Sequence, residues 1–134
     1  MKYLFIAALV LSTLSFRCNK DDDDTMTCPD VNLTIVAAQT PSQVAAGSAI
    51  TVVVRCSGSD LCYNYTHADI KNPLPRIFEI RTMGTYPCKP VACAQAIYYA
   101  EPSISIPASG GSGQYIIRYY NGNTLFRADT VTVN

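Results

Sequence analysis

GQYIIRYYNGNTLFRADTVTV, residues 113–133, reads as two strands folded back on each other. Asn121-Gly122 stands between the two runs. Asn-Gly suits a type I′ turn, because both central residues need positive φ. Tyr115, Ile117 and Tyr119 share one face of the first run, and Val131 and Val133 share a face of the second. Leu125-Phe126 falls out of phase with those valines, which predicts a bulge near Ala128–Asp129. Working outward, AITVVVRC at 49–56 alternates as cleanly. Ile50, Val52, Val54 and Cys56 fall on one side, with Thr51, Val53 and Arg55 on the other. VNLTIVA at 31–37 and RIFEIRTM at 76–83 read as further strands. AIYYA and SISIPA are split by Pro102, which predicts an edge or a bend. Residues 57–75 and 84–94 have little periodicity and read as long irregular connections.

No stretch after Cys28 carries the period of a helix. Some seven short strands, punctuated by turn residues roughly every 8–12 positions, predict an all-β fold of two packed sheets. The strand order resembles an immunoglobulin-like β-sandwich, in topology only. The chain has no Trp, so it lacks the Cys…Trp…Cys core of antibody domains. Tyr115 is the candidate for the tyrosine corner of such a fold. A small open barrel is the alternative.

A chain of 134 residues has room for one domain. Its 49% hydrophobic content is too high for a disordered segment. Ten Lys and Arg against ten Asp and Glu, with no basic cluster, argue against nucleic acid as a partner, since that needs cations to replace counterions.

Residues 1–18 read MKYLFIAALVLSTLSFRC. Lys2 supplies a short positive start, and Tyr3 to Phe16 is an almost unbroken apolar run of 14 residues. A membrane-crossing helix needs about 20 apolar residues, so this run fits the core of an export signal over 1–17 rather than a span. CNKDDDD, Cys18 to Asp24, follows. These residues resemble the lipoproteins of Bacteroidota-type bacteria, in which such a cysteine is diacylated and becomes the first residue of the mature chain. Lys20 followed by Asp21, Asp22, Asp23 and Asp24 resembles that family's export signal for the outer face of the outer membrane. The resemblance covers about the first 24 residues. It implies a lipid anchor on Cys18, an acidic tether over 18–27, and a domain over 28–134 displayed toward the cell exterior. The alternative is an ordinary signal peptide cut near Ser15, because Arg17 stands where the family has a small residue. The chain is then secreted and Cys18 keeps a free side chain. Two acyl chains hold a protein stably on a membrane where one does not. The linker from Cys18 to Cys28 reaches about 35 Å when extended.

Either export route leads to a compartment in which disulfides persist. Cys56, Cys62, Cys88 and Cys93 form two local pairs in the preferred reading, Cys56–Cys62 and Cys88–Cys93, each closing a short loop rich in Gly, Ser or Pro. Cys28 is then left over. Cross-linking the two segments, for example Cys62 to Cys93, is the competing arrangement. Zinc is disfavoured, because the spacings are not Cys-x-x-Cys and His67 is the sole histidine.

No catalytic constellation emerges. His67 has Asp69 nearby and Ser57 and Ser59 upstream, but no nucleophile elbow. Glu79 and Glu101 are more simply solvated strand residues. Tyrosine is the distinctive resource, with nine in the chain. Tyr63, Tyr65 and Tyr86 lie in the two irregular stretches, where a rigid sandwich carries recognition, and a tyrosine ring suits stacking on a sugar or anchoring an interface. The sequence therefore predicts a non-enzymatic, membrane-anchored surface module without a metal or cofactor. Its ligand is a glycan, a peptide or an envelope protein, centred on Tyr63, Tyr65 and Tyr86. A purely structural subunit of a surface assembly is the alternative.

Overall fold

The structure, a computed structural model, describes residues 27–134. The signal segment, Cys18 and the Lys20–Asp24 tract lie outside the described residues. Among those described, the chain is all-β, with nine strands and no helix. They are β1 (Thr27–Gln39), β2 (Gln43–Val44), β3 (Ile50–Gly58), β4 (Asn64–Leu74), β5 (Ile77–Pro87), β6 (Tyr98–Ala100), β7 (Ser103–Ile106), β8 (Gly113–Asn121) and β9 (Thr124–Val133).

The strands curl into a sandwich-like arrangement in which β1 belongs to both layers. Its first half, Thr27 to Leu33, pairs with β5. Its second half, Thr34 to Gln39, pairs with β3. The front layer runs β2-β9-β8-β5-β4, and the back layer joins β1 to β3 and β3 to β6 and β7. Most pairs are antiparallel. The exceptions are β2 with β9 and β5 with β8, both parallel. The β5–β8 pair departs from the antiparallel front sheet of an immunoglobulin domain.

The core is the set of inward alternations read from the sequence. Ile50, Val52, Val54 and Cys56 on β3, Tyr115, Ile117 and Tyr119 on β8, and Val131 and Val133 on β9 are all buried. Ile35, Phe78, Ile80, Ile104 and Ile106 complete the apolar cluster from the other strands. Tyr115 is a tyrosine corner. Its hydroxyl donates to the Gly111 carbonyl at 2.9 Å, bonding back to the turn that leads into β8. Arg76 locks the same corner. It adopts φ of 62° in a tight turn after Pro75, donates to the Gly110 carbonyl from Nη2 at 2.8 Å, and lies over the Tyr115 ring.

Three local expectations are corrected. The closing turn is centred on Gly122-Asn123, one residue later than expected, because Asn121 pairs with Thr124. Only Gly122 has positive φ, at 59°, the pattern of a type II′ turn. The bulge falls at Phe126, since Tyr119 faces Arg127 while Tyr120 faces Leu125. That placement exposes Leu125 and Phe126 and keeps Tyr119 inside. Residues 57–75 are not a long loop, because β4 runs through them and pairs along β5. It has no alternation because it is an edge strand, held by backbone bonds more than by burial.

One side chain makes the shared strand possible. Where β1 leaves the front layer, its register with β3 shifts between Ile35 and Ala37. There the Asn121 amide takes the place of a neighbouring strand. Its Oδ1 accepts from the Ile35 N–H at 2.7 Å, and its Nδ2 donates to the Ile35 carbonyl at 3.1 Å. Nearby, the Thr40 hydroxyl donates to Asp129 Oδ2 and contacts the Tyr119 hydroxyl, each at 2.6 Å. Burial pushes the Tyr119 phenol above the ordinary tyrosine value.

Asn121→Ala strands both Ile35 backbone groups, so it should destabilise the domain by about 2 kcal/mol in urea unfolding. A loss below about 0.5 kcal/mol, the level of a neutral surface substitution, would show that Ile35 does not depend on it.

Candidate functional site

The sequence singled out Tyr63, Tyr65 and Tyr86, and the fold brings two of them together. β5 carries Tyr86 to its end, opposite Cys28 of β1. The loop after β3 turns back through Ser59 to Cys62 and delivers Tyr63 against Tyr86. Their ring centroids are 4.6 Å apart and tilted by 45°. Gly58 permits this approach, because a Cβ there would overlap the Tyr63 ring. On β5, Gly84 permits the close approach of β4, since a Cβ there would strike the Asn64 carbonyl.

Asp60 ties its own loop to the end of β5. Its Oδ1 accepts from the Cys62 N–H at 2.9 Å, the geometry by which Asp holds a turn. Its Oδ2 accepts from the Tyr86 hydroxyl at 3.2 Å. Desolvation, and then the Asp60 carboxylate, raise the Tyr86 phenol above its usual value. Tyr65 does not join the pair. Its N–H donates to the Tyr98 hydroxyl at 2.9 Å. Burial raises its own phenol, with a smaller contribution from Cys56.

Two disulfides staple this end, and neither is a local pair. Cys28–Cys88 joins the start of β1 to the end of β5, and Cys62–Cys93 joins the two loops. The competing arrangement, in which segments are cross-linked to each other, is the one formed at Cys62–Cys93. The expected Cys56–Cys62 and Cys88–Cys93 pairs are corrected for a geometric reason. β3 does not turn at Cys56 but continues to Gly58, still paired with β6. Cys56 is thereby fixed on the inward face and is a buried free thiol. Cys88 follows directly on Pro87, the residue paired with Thr27, which brings it to Cys28 with Cα atoms 5.0 Å apart.

Asp60, Cys62 and Cys93 place ligand-type atoms within 4.8 Å of one another. Both sulfurs are consumed by the disulfide, so the group offers no thiolate to a metal. His67 meets Asp30 rather than Asp69, at 3.8 Å, and its Nδ1 contacts Thr66. Asp69 contacts Lys71 instead. Glu79 lies between Arg81 and Arg118 on the front layer, and Glu101 contacts Arg55 on the back layer, so the two carboxylates do not converge. Asp60 escaped the sequence reading. For Asp60 the signal was present in Ser-Gly-Ser-Asp, a turn composition in which Asp bonds the backbone.

The described chain begins at Thr27, beside Pro87. Both disulfides and the Tyr63–Tyr86 pair therefore sit at the end where the preceding segment enters. Compared with protein-family models, curated proteins and solved structures, the chain matches none.

Burial pushes the Cys56 thiol above its ordinary pKa, outweighing the bonds from Thr82 and the Ala100 backbone that lower it. The fold thus favours the neutral thiol. That contribution is complete below the ordinary thiol range and is lost as pH rises through the raised value. Non-reducing peptide mapping should yield Cys28–Cys88 and Cys62–Cys93. Cys56 should resist alkylation at about pH 8 until the chain is denatured. A Cys56–Cys62 peptide, or rapid native alkylation of Cys56, would contradict this arrangement.

Proposed function

We propose that this protein is a non-catalytic, lipid-anchored module on the outer surface of the cell, tethered through Cys18, and that it binds a glycan, a peptide or an envelope protein. The observation that carries the reading is the Cys28–Cys88 bridge at the root of β1. Chain termini fray unless tied down. This bridge fixes the point at which a membrane tether would pull, ten residues after Cys18. The second bridge fits the same oxidising setting.

On this reading the acidic stretch Asp21–Asp24 is an extended spacer, since like charges repel. The stapled end faces the membrane and the opposite end of the sandwich faces outward. Tyr63 and Tyr86 then reach partners close to the membrane surface, while the outer faces of both layers are open to larger ligands.

Labelled palmitate should enter the wild-type chain expressed in an exporting bacterium with such lipoproteins, and Cys18→Ala should abolish incorporation and release the protein from the membrane fraction. If the wild-type chain takes up no label yet is exported with both disulfides formed, the anchor is refuted and the secreted alternative takes its place.

A further inference from the structure

On the outer face of the back layer, small and long side chains alternate across two strands. Ala37 lies opposite Arg55, and Gln39 opposite Val53. Paired residues of an antiparallel ladder project to the same side, so all four point outward. Ala37 and Val53 leave a floor, and Gln39, Arg55 and Glu101 stand around it. The result is a notch of about 140 Å³. Arg55 is held on two sides. Its Nε is 3.4 Å from Glu101 Oε1, and its guanidinium lies 4.5 Å from the centroid of the Tyr99 ring. Exposed ion pairs contribute at most about 1 kcal/mol to stability. What this one provides is a planar donor fixed beside a carboxylate acceptor.

We infer that this notch is a subsite for one neutral sugar ring of a glycan. The inference rests on the reading of the protein as a binding module. Arg55 and Glu101 are the charged residues of the lining and they cancel, so neither an anion nor a cation gains by entering. A donor beside an acceptor matches neighbouring sugar hydroxyls, each of which both donates and accepts. Gln39 adds an amide capable of both. Ala37 and Val53 offer an apolar floor for the C–H face of the ring. The volume is below the range of drug-sized pockets, about 300–1,000 Å³, which fits a single ring. Tyr99 acts as a positioning residue, keeping the guanidinium from swinging into solvent. Arg55 stands three residues before Gly58, about 10 Å of strand contour from the point where the Tyr63 ring packs.

The test uses the full-length protein in detergent micelles on an array of neutral oligosaccharides. Ala37→Leu fills the floor. Glu101→Gln keeps the shape but removes the charge, at a side chain that is 61% exposed. Both positions are on the surface, and intact disulfides with unchanged melting establish that the variants fold. The wild type should retain at least one neutral glycan. Both variants should bind it about tenfold or more weakly, Leu125→Ala at an exposed position of β9 should bind it as the wild type does, and Tyr63→Ala and Tyr86→Ala are measured alongside. If the notch variants bind normally and the tyrosine variants do not, the notch is wrong and the binding module stands. If no neutral glycan binds but a pull-down from envelope extract captures a protein through Tyr63 or Tyr86, the notch alone is again refuted. If neither assay finds a ligand, both the subsite and the module reading fail.

Discussion

A strand that serves two sheets must change partners along its length, and wherever it changes, a backbone amide and carbonyl lose their ladder. In this protein that position is Ile35, and the Asn121 side chain supplies the missing ladder rung. The rest of the sandwich depends on that substitution. β1 can pair with β5 below and β3 above only if the step between them does not bury unpaired polar groups, which is among the costliest errors a core can contain. Arg127 extends the same device, with its guanidinium donating to the Ala38 carbonyl at 3.0 Å. Side chains from the closing hairpin thus stand in for a strand over the stretch where β1 lacks one.

That constraint gives the molecule a direction. Below the step, β1 runs to the stapled end, where Cys28–Cys88 and Cys62–Cys93 replace burial as the means of holding loops. A disulfide acts mainly by limiting the unfolded chain, so it suits a region with little core. Above the step, β1 crosses the back layer and builds the notch with β3. The opposite end is closed by the tyrosine corner and Arg76 rather than by a covalent bond.

The fold class was legible because burial imposed its period on the sequence. Ile50 to Cys56 and Tyr115 to Tyr119 face the core at every second residue, and the alternation is visible without coordinates. β4 was not legible, because an edge strand such as Asn64–Leu74 is chosen by its neighbour's backbone and needs no apolar face. The turn was misplaced by one residue because Asn121 is recruited to Ile35, a contact 86 positions away that no local rule contains. The same holds for the cysteines. Spacing favoured the nearest partners, while the pairing was decided by which strands meet at the end of β1. Tyr63 and Tyr86 were found as types of residue, but the bond from Tyr86 to Asp60 depends on how the Ser59–Cys62 loop folds against β5.

The most direct test of the shared strand is native-state hydrogen exchange at the Ile35 amide. This N–H belongs to a residue registered with Cys56 of β3 and donates to the Asn121 side chain. Its protection should match that of Val54, whose N–H donates to the Pro102 carbonyl at 3.0 Å in the back layer, because both should open only in global unfolding. If the Ile35 amide exchanges orders of magnitude faster than that of Val54, the Asn121 amide does not complete the ladder, and β1 is not held in both sheets in the way described.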